Sequence, residues 1–209
     1  MKKVIVLRTL YTVGHSIYEI EDFISLLKKN NVNTIVDIRS TPYSKFASQY
    51  NREDLKYYLN ENEICYIFMG DLLGARYEDK DLLFENGKVN FKKVQETISF
   101  QQGINRLDKG ISKGYNISLM CSEKEAFDCH RFGLVSEYVN KNLIDVDIKH
   151  IYPDKVLSQK DLEKKLLKKY DKHIDYLGLK IDKSPLEQAY LFRNEDIAYN
   201  AITKEGDDE

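Results

Sequence analysis

Reactive side chains are concentrated between Cys121 and Arg131, where Glu123, Cys129 and His130 also occur. A thiol that leaves a strand toward the N-terminus of a helix has its thiolate stabilised by the helix dipole and by nearby cations. Cys121 is therefore a candidate nucleophile, and Glu123 is an alternative base or nucleophile. Since free cysteines are commonly buried, an unreactive core cysteine is the competing interpretation.

Two other cysteine chemistries fit the sequence less well. Cys121, Cys129, His130 and His15 are potential zinc ligands, but structural zinc sites usually leave two to four residues between paired ligands, and adjacent residues diverge on a helix. A rhodanese or phosphatase loop also places a cysteine between strand and helix. The phosphatase loop, however, has an arginine six residues after that cysteine, where this chain has Phe127. We predict no metal and no cofactor.

Arg39, Arg76 and Arg131 indicate an anionic substrate. Each follows a hydrophobic run, in a chain that is otherwise richer in lysine than in arginine. Guanidinium groups are planar, bidentate donors for phosphate or carboxylate. The alternative for each is an ordinary ion pair, which is common at protein surfaces. Asp37 would then orient Arg39.

His15 and Ser16 follow the first strand-like stretch. Imidazole titrates near neutral pH, so His15 is a candidate proton shuttle, and a loop hydrogen bond is its alternative role. Ser16 either contacts substrate or caps the following helix. The predicted catalytic residues are Cys121, Glu123 and His15. The predicted substrate-binding residues are Ser16, Asp37, Arg39, Arg76, Cys129, His130 and Arg131.

Strand patterns alternate with amphipathic helical patterns, which predicts an α/β fold with a mostly parallel central sheet of about five strands flanked by helices. The predicted strands are Val4–Leu7 with Tyr11–Val13, Thr34–Arg39, Cys65–Met69, Tyr115–Met120 and Val146–Ile151. The predicted helices are Glu19–Lys29, Arg52–Glu61, Val94–Lys113 and His130–Asn140. Residues 77–93 lack clear periodicity and are interpreted as an insertion or lid-like loop.

Because ligands bind beyond the carboxyl ends of strands in such sheets, the candidate residues are expected to converge there. After Pro153 we expect no strand, only a helical appendage with helices at 158–170 and from Ser184 onward. The predicted organisation is an α/β domain over residues 1–153 and a helical extension over 154–209 that packs on it.

Composition limits the functional classes. The 209 residues include 32 Lys and Arg against 34 Asp and Glu, so no overall positive field favours nucleic acid or anionic membranes. No apolar run approaches the length of a membrane-spanning helix. Three cysteines do not form a disulfide framework, and the N-terminus lacks a signal-peptide pattern, so we expect a cytoplasmic protein.

Four short motifs resemble those of the DUF488 family, a domain of unknown function. They are Thr12–Ser16, Val36–Arg39 with Pro42 and Ser44, Leu72–Arg76, and Leu119–Glu123 with Cys129–Arg131. The resemblance covers about residues 11–152, and the tail resembles extensions of longer members. One departure is Ala75, where members commonly carry a second glycine. The resemblance implies kinship and little chemistry.

The residues themselves favour an enzyme, a hydrolase or transferase, that acts on an anionic, phosphate-bearing substrate such as a nucleotide or a nucleic-acid moiety. The alternative is a non-catalytic module that binds a phosphate-bearing ligand or partner and uses Cys121 only for packing. The expected partner is a small anionic ligand or nucleotide, with nucleic acid possible through the cleft and no membrane. The sequence does not predict an oligomeric state.

Overall fold

The computed structural model describes residues 7–202, which form a six-stranded sheet flanked by helices. The strands are β1 (Arg8–Gly14), β2 (Thr34–Asp37), β3 (Cys65–Phe68), β4 (Ile117–Cys121), β5 (Val146–Ile151) and β6 (Val156–Ser158). Their order is β3-β2-β4-β1-β5-β6. All neighbouring pairs are parallel except β5 and β6. The predicted fold class is confirmed. Residues 4–6 of the predicted first strand lie outside the described residues.

Helices connect the strands as the crossover pattern requires. They are α1 (Ile20–Lys29), α2 (Arg52–Glu61), α3 (Gly70–Leu73), α4 (Phe91–Glu96), α5 (Ile98–Ser112), α6 (Glu137–Asn142), α7 (Gln159–Tyr170) and α8 (Pro185–Ile197). A π-helix covers Arg131–Ser136, and short 3-10 turns cover Ser48–Tyr50, Lys80–Leu82, Ala126–Asp128 and Asp171–His173. Among the described residues, none of the helices is long and apolar enough to cross a membrane.

Successive residues of the central strands pack into opposite cores. Ile35 and Met120 join the core with α1 and α2, whereas Val36 and Leu119 join the core with α4, α5 and α6. This period of two is the pleat of a sheet that is covered on both faces. It explains why every residue of β2 and β4 is buried, with no alternation between buried and exposed positions.

The strand order creates a crevice at the carboxyl ends of β2, β4 and β1. The chain leaves β1 and β2 toward the core formed with α1 and α2, and it leaves β4 toward the opposite core. Connections that diverge from adjacent strands leave an opening at the strand ends. Gly14 and Cys121 are in register, as are Asp37 and Met120, so the loops that follow these strands begin at the same level.

The chain after Pro153 departs from the prediction. It contains β6, which pairs antiparallel with β5 at the sheet edge, so the expectation of a tail without strands was wrong. Helices α7 and α8 begin where predicted, because Ser158 and Ser184 each form a capping box with the acidic residue three positions later. Both helices belong to a third hydrophobic cluster, in which Tyr190 of α8 packs against Phe132.

A buried hydrogen-bond chain connects this extension to the sheet. Thr12 Oγ1 lies 2.8 Å from Nδ1 of His150, whose Nε2 lies 2.9 Å from Gln159 Oε1. Gln159 Nε2 donates to the Tyr190 hydroxyl at 2.7 Å, and that hydroxyl donates to Glu163 at 3.0 Å. The chain therefore joins β1 and β5 to α7 and α8 through the buried polar side chains of Thr12, His150, Gln159 and Tyr190 and ends at the partly exposed Glu163.

Within two predicted segments, the structure differs from the prediction. The predicted helix Val94–Lys113 is interrupted at Thr97, whose hydroxyl accepts from the Phe100 amide and begins α5 as a new helix. The predicted loop 77–93 includes a 3-10 turn, an isolated bridge between Leu83 and Val89, and the first turn of α4. The buried side chain of Phe91 explains this order, since it anchors the segment in the core.

Candidate functional site

A cavity of about 250 Å³ opens at the carboxyl ends of β2 and β4. Part of its wall comes from the residues after β2, the loop after α3, and the end of β4 with the segment that follows. The rest comes from α4, the end of α8 and the residues after α8. The lining residues are Arg39, Ser40, Thr41, Ala75, Arg76, Phe91, Cys121, Ser122, Glu123, Asp128, Cys129, His130, Ile197 and Tyr199. Six of the predicted site residues lie in this wall, and four do not.

Two thiols and an imidazole form a compact cluster in the wall of the cavity. Nδ1 of His130 lies 3.7 Å from Sγ of Cys121 and 3.8 Å from Sγ of Cys129. His130 Nε2 lies 3.1 Å from the Ile38 carbonyl oxygen. Since a carbonyl only accepts, Nε2 carries a proton, and Nδ1 faces both sulfur atoms.

The two thiols have different acidities. The hydrogen bond that Cys121 donates to Cys129, together with burial, raises the pKa of Cys121. Burial also opposes ionisation of Cys129, but that hydrogen bond and the nearby Arg131 lower the pKa of Cys129 to about 7. The sequence marked Cys121 as a candidate nucleophile, whereas the hydrogen bond between the two thiols and the nearby Arg131 favour the thiolate on Cys129.

Arg39 is held in place before any ligand arrives. Its Nε and Nη2 donate to the two carboxylate oxygens of Asp37 at 2.9 and 2.7 Å, and Nη2 also donates to the Tyr50 carbonyl at 2.8 Å. The Tyr66 hydroxyl donates to the same carboxylate at 2.8 Å. Asp37 is fully buried, so it orients Arg39 and is out of a ligand's reach.

His15 lies behind Arg39 and outside the wall. Its ring stacks on Tyr50 with centroids 4.1 Å apart, its Nδ1 lies 2.8 Å from the Ser16 carbonyl, and its Nε2 lies 3.1 Å from Arg39 Nη1. The carbonyl requires a proton on Nδ1, so Nε2 accepts from Arg39. Burial and the Arg39 charge lower the pKa of His15 to about 4. Both ring nitrogens are occupied, an arrangement that favours positioning Arg39 over proton transfer.

Arg131 does not reach the cavity. It is buried, and its Nη1 and Nη2 donate to the carbonyl oxygens of Glu123 and Lys124 at 2.6 and 2.9 Å. These bonds fix the backbone after β4, so that the exposed Glu123 side chain lines the cavity. Gly14 packs directly against the same segment, where an added Cβ would lie 1.9 Å from the Glu123 carbonyl oxygen.

The loop that carries Arg76 is fastened to the end of β2. Ser40 Oγ accepts from the amides of Ala75 and Arg76 at 3.1 and 3.2 Å. A Cβ on Gly74 would lie 2.4 Å from that hydroxyl, so Gly74 alone provides the close approach. Ala75, the departure from the family pattern, is accommodated in the wall. Ser16 has a left-handed backbone with φ of 49° and does not line the cavity.

Sequence reasoning missed part of the wall. Ser40 and Thr41 follow directly after Arg39, and their position was a usable signal. Phe91, Ile197 and Tyr199 come from distant elements, and no sequence signal assigned them to a site. The Arg76 guanidinium lies 5.5 Å from the ring centroid of Tyr199, so the segment after α8 completes the cavity.

The fold and the cavity define an open α/β protein with a polar, thiol-containing pocket at the carboxyl edge of its sheet. The profile of one family, described as domain of unknown function DUF488, matches residues 19–139. That range is more than half of the 209 residues, and the chain belongs to this family. The resemblance predicted from the motifs is thereby confirmed, although Thr12–Ser16 lies outside the matched range. Among curated proteins and among solved structures, none matches the chain.

Proposed function

We propose that the chain is an enzyme, a hydrolase or transferase, that binds a small anionic, phosphate-bearing substrate in the cavity beside the Cys121–Cys129–His130 cluster. A nucleotide or the end of a nucleic acid belongs to this class of substrate. The observation that carries the proposal is the distribution of charge in the wall, where one cation and one carboxylate are available.

Two of the four charged side chains of the wall are already paired. Arg39 is neutralised by Asp37, and Asp128 is neutralised by Arg193. Arg76 and Glu123 form no ion pair with any residue between 7 and 202. Arg76 therefore supplies the positive charge for an anion, and Glu123 is placed to act as a general base.

Hydrogen-bond donors surround the same space. Four of the five N–H groups of Arg39 are engaged by Asp37, Tyr50 and His15, which leaves one on Nη1 for a ligand. Thr41 and Ser122, two residues with hydroxyl side chains, also line the cavity. Such donors bind phosphate oxygens without requiring a net positive protein, which fits a formal net charge of −2.

The decisive experiment is a thermal-shift titration with inorganic phosphate, mononucleotides and short oligonucleotides. The parent chain is expected to be stabilised by at least one of them, and Arg76→Ala should weaken that binding by about 1.5–3 kcal/mol. Arg76→Lys should restore only part of the loss, because lysine lacks the bidentate fork. Arg106→Ala, another exposed arginine far from the cavity, is the matched control. No shift with the whole panel would refute the proposal.

A non-catalytic binding module remains the second candidate, favoured by the burial of both thiols. Cys121 is 6% exposed and Cys129 is 2% exposed. Labelling of chelator-treated protein with iodoacetamide at pH 6 separates the two functions. Faster labelling of Cys121 or Cys129 than of a free thiol supports the enzyme, provided that the exposed Cys65 reacts at the ordinary rate. Labelling at or below that rate supports the module.

A further inference from the structure

The Cys121–Cys129–His130 cluster has the donor set of a metal centre. We propose that Sγ of Cys121, Sγ of Cys129 and Nδ1 of His130 bind one zinc ion, with the fourth coordination position open to the cavity. This inference goes beyond anion binding and does not depend on it. It also reverses the expectation from sequence that the protein has no metal.

The distances between the donor atoms suit zinc. The donor atoms all lie within 4.8 Å of one another, and the two sulfur-to-nitrogen distances are 3.7 and 3.8 Å. In a tetrahedral site with Zn–S of about 2.3 Å and Zn–N of about 2.0–2.1 Å, sulfur and nitrogen lie roughly 3.6 Å apart. An ion therefore fits among these atoms with only small side-chain adjustments.

The imidazole is oriented as a ligand should be. A metal-binding histidine normally donates its other N–H to a carbonyl or carboxylate, which fixes the tautomer and the plane of the ring. His130 does so through Nε2 to the Ile38 carbonyl. The Arg131 amide donates to Sγ of Cys129 at 3.5 Å, a second interaction of this supporting kind.

The spacing objection raised by the sequence does not hold in the structure. Cys129 and His130 would diverge if both were helical, but Cys129 is extended, with φ of −129° and ψ of 148°. His130, with φ of −60° and ψ of −22°, begins the following helical segment. The change of backbone conformation between the two residues turns both side chains toward Cys121.

Ligand chemistry selects the ion and the type of site. Thiolate and imidazole ligands favour zinc over magnesium or calcium, and two thiolates neutralise the charge of a buried divalent cation. Three protein ligands with a fourth position for water or substrate are typical of catalytic zinc sites. Because Glu123 lines the same cavity, it is placed to accept a proton from a metal-bound water.

The test measures metal content, separately from activity. Full-length protein purified under reducing conditions is treated with a chelator, re-equilibrated with zinc and analysed by elemental mass spectrometry. We expect about one zinc ion per chain. Cys121→Ser, Cys129→Ser and His130→Asn should each weaken zinc binding by more than about 100-fold in a chelator competition, and Cys65→Ser should leave it unchanged.

Cobalt provides a readout that does not require the variants to fold. The parent chain loaded with Co²⁺ should show thiolate-to-cobalt charge transfer and the intense visible bands of tetrahedral coordination. Absence of these bands, together with less than about 0.2 zinc per chain, would overturn the proposal. Anion binding is measured on metal-free protein with phosphate, so failure of either proposal is visible separately.

Discussion

Arg39 Nη1 donates to Nε2 of His15 at 3.1 Å, and this bond keeps the imidazole neutral while it fixes the guanidinium. A proton on Nε2 would place two buried cations in contact. The bond therefore makes a pH-sensitive group part of the support for the cavity wall, although His15 itself does not line the cavity.

Acid is expected to destabilise the fold through buried histidines. The pKa of His15 and that of His150 are both lowered to about 4, mainly by burial. Between pH 6.5 and 4 the unfolded chain binds protons that the native chain excludes. Stability should therefore fall as pH drops through this window, by up to about 3 kcal/mol per histidine, and these contributions should level off below pH 4.

Urea unfolding of the parent and of His15→Gln at pH 7.5 and pH 5 measures the effect. The variant should show a smaller loss between the two pH values. His173→Gln, at a histidine outside the hydrophobic core, is the control and should behave like the parent. Equal losses in all three proteins would contradict the prediction.

Substitution of Gly14 should be severe. In Gly14→Ala the new Cβ would meet the Glu123 carbonyl at 1.9 Å, and neither backbone segment is free to move away. We expect a loss of about 1–3 kcal/mol or more, measured by denaturant unfolding. Gly133→Ala is the matched control, because its nearest neighbour would lie 3.5 Å away. If both substitutions cost the same, the close approach is not what requires glycine.

The Asp37–Arg39 pair should be far more important than an exposed pair. Asp37→Ala leaves a buried guanidinium without its counter-charge, which typically costs about 3–5 kcal/mol. Asp154→Ala removes the partner of Lys155 in a pair that is 3.8 Å long and more than half exposed, and it should cost about 1 kcal/mol or less. Chemical denaturation of both variants gives the comparison. Similar losses of unfolding free energy in the two variants would show that burial does not strengthen the Asp37–Arg39 pair.

The hydroxyl of Tyr190 should contribute to docking of the C-terminal extension. Tyr190→Phe removes two hydrogen bonds, the one that Gln159 Nε2 donates to the hydroxyl and the one that the hydroxyl donates to Glu163. A loss of about 1–3 kcal/mol is expected, because a buried polar group is left unsatisfied. In Tyr176→Phe an exposed hydroxyl that binds Asp171 is lost, and the cost should be below about 0.5 kcal/mol. Thermal unfolding of the two variants tests this difference.

The sequence predicts the sheet well because its strands are buried on both faces. Ile35–Val36 and Leu119–Cys121 are short apolar, partly β-branched runs between polar residues, which is a strand pattern. The antiparallel β6 was not predictable, because three residues at an edge carry too little pattern. The interruption at Thr97 was missed since the helical periodicity continues across it, whereas the capping hydroxyl begins a second helix.

The candidate site, like the fold, was predictable from the sequence only in part. The parallel arrangement predicted that His15, Arg39, Cys121 and Glu123 would converge on one pocket. Arg39, Cys121 and Glu123 line one cavity, whereas His15 lies behind Arg39. The sequence could not distinguish Arg76, which faces the cavity, from Arg131, which binds backbone carbonyls. That difference depends on the path of the loop after β4. The contribution of Tyr199 depends on how α8 docks, which is a matter of tertiary packing.

The position of β1 in the sheet has a consequence for how this family should be divided into folding units. β1 lies between β4 and β5, and both β1 and β5 fall outside the range 19–139 that the family profile matches. A fragment cut to that range would retain β3, β2 and β4 but leave the hydrogen-bonding edge of β4 open along its whole length. It would also lose Gly14, against which the Glu123 segment packs. Recombinant fragments cut at the profile boundaries should therefore self-associate through that open edge, whereas the autonomous unit extends at least from Arg8 through Ile151.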